Sequence, residues 1–241
     1  MRIHIFNDPL ELAAAAAHEV ACAIRVQPLL RLGLPTGSTP IPLYAHLVQL
    51  HREEGLSFQQ VTAFNLDEYL GLAPDDPNSY SYFMAEHLFR HIDIPLANTH
   101  IPHGLAADPH AEAARYDQLL QEPLDILLLG INALNGHIGF NEPGSPWDSP
   151  CRVVELTPET RESNAPHFPG GLAQTPTQAI TMGIAAIMQS RRVFLMATGT
   201  GKAEIIQKAL HGPQVLALPG SALQSHPQLE VYLDKAAASL L

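Results

Sequence analysis

Cysteine is close to absent from this chain: of 241 residues only Cys22 and Cys151 carry a thiol. Their spacing matches neither a zinc ligand set nor a redox pair, and Cys22, within an apolar helical stretch, reads as core. Cations are scarce too. Lys and Arg total 13 against 24 Asp and Glu, a net charge of −11. The 13 are scattered, so no basic face exists of the kind a nucleic-acid surface needs. The acidic excess speaks for solubility and little else, and an anionic ligand would require a cationic or amide-lined pocket. Long apolar runs are also missing, none approaching the roughly 18 residues of a membrane span. The opening Met1-Arg2-Ile3-His4-Ile5-Phe6 goes straight into a strand pattern, unlike a signal peptide. The expectation is a cytoplasmic protein that engages neither membrane nor nucleic acid.

Apolar residues make up 46% of the chain, enough for a sizeable core. Strand-like runs at 2–6, 30–34, 61–66, 126–129, 192–197 and 230–233 alternate with helical patterns at 9–26, 41–52, 78–89, 111–120, 179–189 and 201–210. Such alternation predicts an α/β fold with an open, mostly parallel sheet and helices on both faces. One domain over 1–241 accounts for the length. The Pro-rich stretch 143–176 is the least regular part and reads as a mobile cover over a site, or as a passive connection.

Chemistry concentrates where strands meet helices. The run Gly136-His137-Ile138-Gly139-Phe140-Asn141-Glu142-Pro143 follows the strand 126–129 and sets an imidazole five residues before a carboxylate. Ligands of open α/β sheets bind at the carboxyl ends of strands, where a His beside an acid can move protons on a small molecule. A His that merely satisfies a loop hydrogen bond is the competing reading. Leu34-Pro35-Thr36-Gly37-Ser38-Thr39-Pro40 joins a strand to a helix and offers backbone amides and hydroxyls to an anion. It is no Walker A loop, having no Gly-Lys-Ser/Thr. Asp67, in Phe64-Asn65-Leu66-Asp67-Glu68-Tyr69, falls at a strand end, where a general base would be useful. Adjacent acids are also common in solvated turns. Lys202, in Ala197-Thr198-Gly199-Thr200-Gly201-Lys202-Ala203, stands at a helix start, against the macrodipole preference, and so is suited to an external anion.

Taken in order, these segments resemble the glucosamine-6-phosphate deaminase family over almost the whole chain. Ser79-Tyr80, Phe83-Met84 and the string Asn135-Gly136-His137-Ile138-Gly139-Phe140-Asn141-Glu142-Pro143 add to the match. The related 6-phosphogluconolactonases share the Rossmann-like fold and a Gly-His but not the Phe-Asn-Glu-Pro ending. The resemblance implies conversion of D-glucosamine 6-phosphate and water to fructose 6-phosphate and ammonia, in amino-sugar catabolism, without a metal or organic cofactor. It makes Asp67 the base that moves a proton between C2 and C1, and His137 the ring-opening acid/base. Glu142 and Asn135 support His137, and Gly37, Ser38, Thr39 and Lys202 bind phosphate.

The chain departs from the family in three places. After Thr160-Arg161 the usual Asn-Ala-Arg-Phe-Phe is replaced by Asn164-Ala165-Pro166-His167-Phe168, which removes a phosphate-binding arginine and leaves His167 as a partial substitute. A usual Gly-x-Gly is replaced by Gly130-Ile131-Asn132-Ala133-Leu134. Arg152 fits one basic position of the allosteric site of longer relatives, but Val154 stands at a second. The expectation is a monomer or small homo-oligomer without hexosamine-phosphate activation. Two other readings are an enzyme acting on a different sugar phosphate and a non-catalytic sugar-phosphate-binding regulator.

Overall fold

Four consecutive aliphatic side chains, Ile126 to Leu129, are all buried, which requires a strand covered on both faces. The computed structural model, which describes residues 1–241, shows how that cover is built. The strands are β1 (Arg2–Phe6), β2 (Arg31–Leu34), β3 (Thr62–Asn65), β4 (Asp67–Tyr69), β5 (Thr99–His100), β6 (Ile126–Leu129), β7 (Arg152–Glu155), β8 (Gln178–Thr181), β9 (Arg192–Ala197) and β10 (Leu229–Asp234). The helices are α1 (Pro9–Val26), α2 (Ile41–Glu54), α3 (Tyr80–His87), α4 (Pro109–Leu119), α5 (Pro158–Asn164), α6 (Ile184–Gln189) and α7 (Ala203–His211).

Seven strands form one sheet in the order β1-β10-β9-β6-β2-β3-β5, and every pairing in it is parallel. Alternate side chains divide between two cores, as strand geometry demands. Ile126, Leu128, Phe194, Met196 and Tyr232 pack with the buried faces of α1 and α2. Leu127, Leu129, Val193, Leu195, Val231 and Leu233 pack against residues of α4, α6 and α7. Truncating a side chain such as Leu128, which has no exposed surface, is expected to destabilise the protein by about 2–5 kcal/mol. Capping sets where helices begin: the Asp8 carboxylate accepts from Leu10 and Glu11 N–H at the start of α1, a contact worth about 1 kcal/mol.

The remaining three strands form a second, antiparallel sheet, β4-β8-β7, which the sequence pattern does not predict. Asp67 therefore opens β4 and pairs with Thr181 of β8; it does not end β3. The expected helix over 179–189 is two elements, strand β8 and helix α6, separated at Met182-Gly183. Gly183 is needed there, because a Cβ would lie 1.9 Å from the Ser149 carbonyl oxygen. The stretch 143–176 is likewise more regular than expected, carrying β7, α5 and short 3-10 turns. No helix is long and apolar enough to cross a membrane.

Candidate active site

Strand order reverses between β2 and β6: β3 and β5 follow on one side, β9 and β10 on the other. Outside such a switch point, at the carboxyl ends of the strands, an open sheet leaves a crevice. Here it is a cavity of about 310 Å³. Its walls include Pro35–Pro40 after β2, Asp67 after β3, Gly130–Asn132 and His137 after β6, and Met196 and Lys202 at the end of β9. Ser163 and Asn164 of α5, with His167 beyond it, close the outer side.

Asp67 is held where water scarcely reaches. It is 7% exposed, and the β3–β4 junction beside it is pinned by Asn65, whose Nδ2 donates to the Leu34 carbonyl and whose own carbonyl accepts from Tyr116 Oη. Burial pushes the Asp67 carboxyl from its ordinary 3.8 to about 8, with the negative charge of Glu68 adding to the effect. Gly139 forms the wall next to it, with φ +56°; a Cβ there would lie 3.0 Å from Thr181 Oγ1 and 3.4 Å from Asp67 Oδ2. A side chain at 139 would be strained and would crowd the carboxylate.

Across the cavity His137 stands in front of a hydrogen-bonded cluster. Its Nδ1 lies 3.2 Å from Glu142 Oε2. A carboxylate can only accept, so Nδ1 carries the proton and Nε2 is left for the cavity. Glu142 Oε2 also accepts from Asn135 Nδ2 at 2.7 Å, and Oε1 from Thr160 Oγ1 at 2.5 Å. Burial alone would raise the Glu142 pKa, but the bonds and charge of His137 and the donors Thr160 and Asn135 outweigh it and hold the group below its ordinary value. Asn135 also accepts from the His137 backbone N–H through Oδ1, at 3.1 Å. Asn135 thus fixes the loop and the carboxylate, and does not touch the imidazole ring by a hydrogen bond.

The third wall suits an anion. Helix α2 starts after Pro40 with no side-chain cap. Ile41 N–H donates to the Ser38 carbonyl and Pro42 has no N–H, so the amides left for a ligand are those of Gly37, Ser38 and Thr39 in the turn before it. Lys202 faces the same space and donates its Nζ to the Ile131 carbonyl. Burial lowers its pKa, and no carboxylate pairs with it. The Gly199-Thr200 turn that presents Lys202 is held by Asp234, whose two carboxylate oxygens accept from Gly199 N–H at 3.1 and 3.0 Å.

Of the residues singled out in the sequence, Asp67, His137, Gly37, Ser38, Thr39, Lys202 and His167 all border this one cavity. Glu142 and Asn135 stand behind His137 and not on the cavity wall. Pro166 is exposed and borders nothing there, whereas His167 does. Sequence reasoning missed Thr160, since a threonine in the first turn of a helix carries no distinguishing signal. It gave no role to Asn132, Ser163 or Asn164, which also border the cavity. No cluster of three or more His, Cys, Asp or Glu side chains is arranged to hold a metal ion.

Known proteins match this chain closely. A family model described as glucosamine-6-phosphate isomerases/6-phosphogluconolactonase matches residues 8–232. A glucosamine-6-phosphate deaminase of Geobacillus sp. (strain WCH70) is 48% identical over 96% of this chain and 92% of its own. The solved structure of a monomeric glucosamine-6-phosphate deaminase superposes with a TM-score of 0.97 at 44% identity, over 100% of both chains. A 6-phosphogluconolactonase from Trypanosoma cruzi shares the fold, with a TM-score of 0.76 at 23% identity over 100% of this chain and 96% of that one.

Proposed function

The chain belongs to the glucosamine-6-phosphate isomerase/6-phosphogluconolactonase family, and from that premise we propose that it converts D-glucosamine 6-phosphate and water to D-fructose 6-phosphate and ammonia. One observation carries the reading: Asp67 and His137 border the same cavity, whose third wall is built for an anion. The identity to the deaminase is about twice that to the lactonase, which favours the amino sugar over the lactone.

His137 opens the ring. Its Nε2 takes the proton of the anomeric hydroxyl and returns one to the ring oxygen, while Glu142 stabilises the imidazolium that forms in between. Asn135 and Thr160 keep Glu142 ionised and aimed at Nδ1. Asp67 then removes the C2 proton of the open aldose, while O1 takes up a proton given up by the C2 ammonium. Asp67 delivers its proton to C1, leaving a C2 iminium and a C1 hydroxyl. A carbon acid is weak, so the base must be strong, and burial makes this carboxyl more basic. The substrate ammonium at C2 brings an opposite charge to Asp67 and favours its ionised form on binding. The resulting C2 iminium adds water and expels ammonia, leaving the ketose. The amides and hydroxyls of Gly37, Ser38 and Thr39, with Lys202 and His167, anchor the phosphate and set the register of C1 and C2 over Asp67.

We further propose one catalytic domain over residues 1–241, with 143–176 acting as its lid. Helix α5 of that segment supplies both cavity wall and Glu142 contact. A monomer acting in the cytoplasm on a charged amino-sugar phosphate fits this reading. Purified protein supplied with glucosamine 6-phosphate should release ammonia and ketose in equal amounts. Binding without either product would leave a sugar-phosphate-binding regulator as the better description.

A further inference from the structure

Glu68, next in the chain to Asp67, has no place in the chemistry above, and it is not the solvated turn residue that adjacent acids suggest. It is 1% exposed. Its Oε1 accepts from the Tyr69 N–H at 2.9 Å and the Tyr80 N–H at 3.0 Å, and its Oε2 from the Ser81 N–H at 2.9 Å. With Ser79 Oγ accepting from Tyr82 N–H at 3.0 Å, the first three amides of α3 are all satisfied, two of them by a strand twelve residues upstream. The ordinary cap, Ser79, takes only the Tyr82 N–H, and the two amides it leaves are met by a carboxylate from another element, which must be desolvated to reach them.

What it does is join the strand that bears Asp67 to the helix that faces it. Tyr80, the first residue of α3, presents its ring to the cavity and packs on Tyr69 and Phe140 at centroid distances of 4.9 and 6.1 Å. Asp67 and Glu68 point to opposite sides of β4, so Glu68 stabilises the strand from behind while Asp67 meets the sugar. We propose that Glu68 is a positioning residue for the deamination: its buried carboxylate clamps α3 to β4, fixes Tyr80 against the substrate, and sets a negative charge beside the base. The proposal rests on the deaminase reading.

Several titratable groups lie close enough to Asp67 to interact with its charge: Glu68 and Tyr69 on β4, Tyr80 on α3, Tyr116 on α4 and Cys151 before β7. His137, His167 and Lys202 border the same cavity. Burial raises the pKa of Tyr69, Tyr80, Tyr116 and Cys151 above their ordinary values. Glu68 is the neighbour whose charge adds to burial in raising the Asp67 pKa. Burial raises the pKa of Glu68 too, against the Tyr80, Ser81 and Tyr69 N–H bonds that favour its charged form.

Two variants test this by the split between kcat and KM and by the pH profile. Glu68→Gln keeps the size but removes the charge and one acceptor. It should lower kcat by about tenfold or more, leave KM within about threefold, and move the acid limb of kcat/KM to lower pH. Glu68→Asp keeps the charge but draws it away from α3, so kcat should fall while the acid limb stays near its wild-type place. Folded variants with wild-type kcat and an unmoved profile would overturn the proposal. So would failure of both to fold, because Glu68 would then serve stability alone. Absence of ammonia release by the wild type would instead remove the deaminase reading. The infrared carboxyl band of Asp67, titrated in wild type and Glu68→Gln, would still test the charge effect without turnover.

Discussion

Asp67 lines one wall of the cavity and Glu142 backs the other, behind His137, and their surroundings treat them oppositely. Asp67 has burial and a like charge and no protein donor, so its pKa rises to about 8. Glu142 is also buried, but three donors converge on its two oxygens and hold its pKa down. A carboxylate that must take a proton from carbon benefits from being left unsatisfied, and one that must stabilise an imidazolium benefits from being fully bonded. The same side-chain chemistry yields a base on one wall and a fixed charge on the other, and the difference lies in the donors supplied.

The largest break in this comparison is Asp67→Asn, which removes the base. It should lower kcat by about three orders of magnitude or more while binding of the substrate, measured by calorimetry, stays within about threefold. It should also be more stable than wild type, and the sign follows from linkage. A folded-state pKa raised to about 8 makes a contribution that is complete below the unfolded value near 4 and is lost as pH rises through 8. The stability gap between Asn and Asp proteins in urea unfolding should therefore open from about pH 4 and level off above about pH 8. A gap that does not change over that range would mean that Asp67 is not a desolvated acid.

Glu142→Gln comes next. The amide can still meet Nδ1 but cannot neutralise an imidazolium, so kcat should fall about a hundredfold, with KM for the sugar phosphate little changed. If kcat holds and only KM rises, the cluster behind His137 serves binding, and the contrast between the two walls disappears.

Much of this contrast was legible before any coordinates, and the reason is periodicity. β6 and most of β9 are continuous apolar runs, as expected of strands covered on both faces. The loops at their carboxyl ends hold the chemistry because the sheet ends there. The second sheet was not legible. β4 is only Asp67-Glu68-Tyr69, three polar residues whose burial depends on neighbours far along the chain. β8 and α6 merged into one apolar stretch because their separation is marked by Gly183 alone. The role of Glu68 was hidden similarly, since its partners Tyr80 and Ser81 come into reach only when α3 folds back onto β4. The pairing of His137 with Glu142 could be suspected from their five-residue spacing, but Thr160, eighteen residues further on, could not.

The anion wall offers a smaller effect. Pro166 is exposed and His167 stands at the cavity. Pro166→Arg would add a long cation next in the chain to the cavity-lining His167, and a hydrogen bond to a charged group is worth about 1.5–3 kcal/mol. KM should fall about tenfold with kcat unchanged. An unaltered KM would mean that His167 and Lys202 already saturate the phosphate.

The smallest expected effect tests the link between the lid and the ring-opening His137–Glu142 pair most directly. Thr160 belongs to α5, whose last residues Ser163 and Asn164 border the cavity, yet its hydroxyl donates backwards to Glu142 Oε1. Thr160→Val keeps the branched shape and removes only that donor. Glu142 would retain Asn135 and His137, so its pKa should rise part of the way toward the value that burial alone dictates, and kcat should fall by a few-fold. The acid limb of kcat should shift upward, because the carboxylate protonates more readily. Stability should drop by about 1 kcal/mol, since one buried oxygen loses a partner. A variant with the wild-type pH profile would show that two donors suffice, and that α5 covers the cavity without reporting its position to His137.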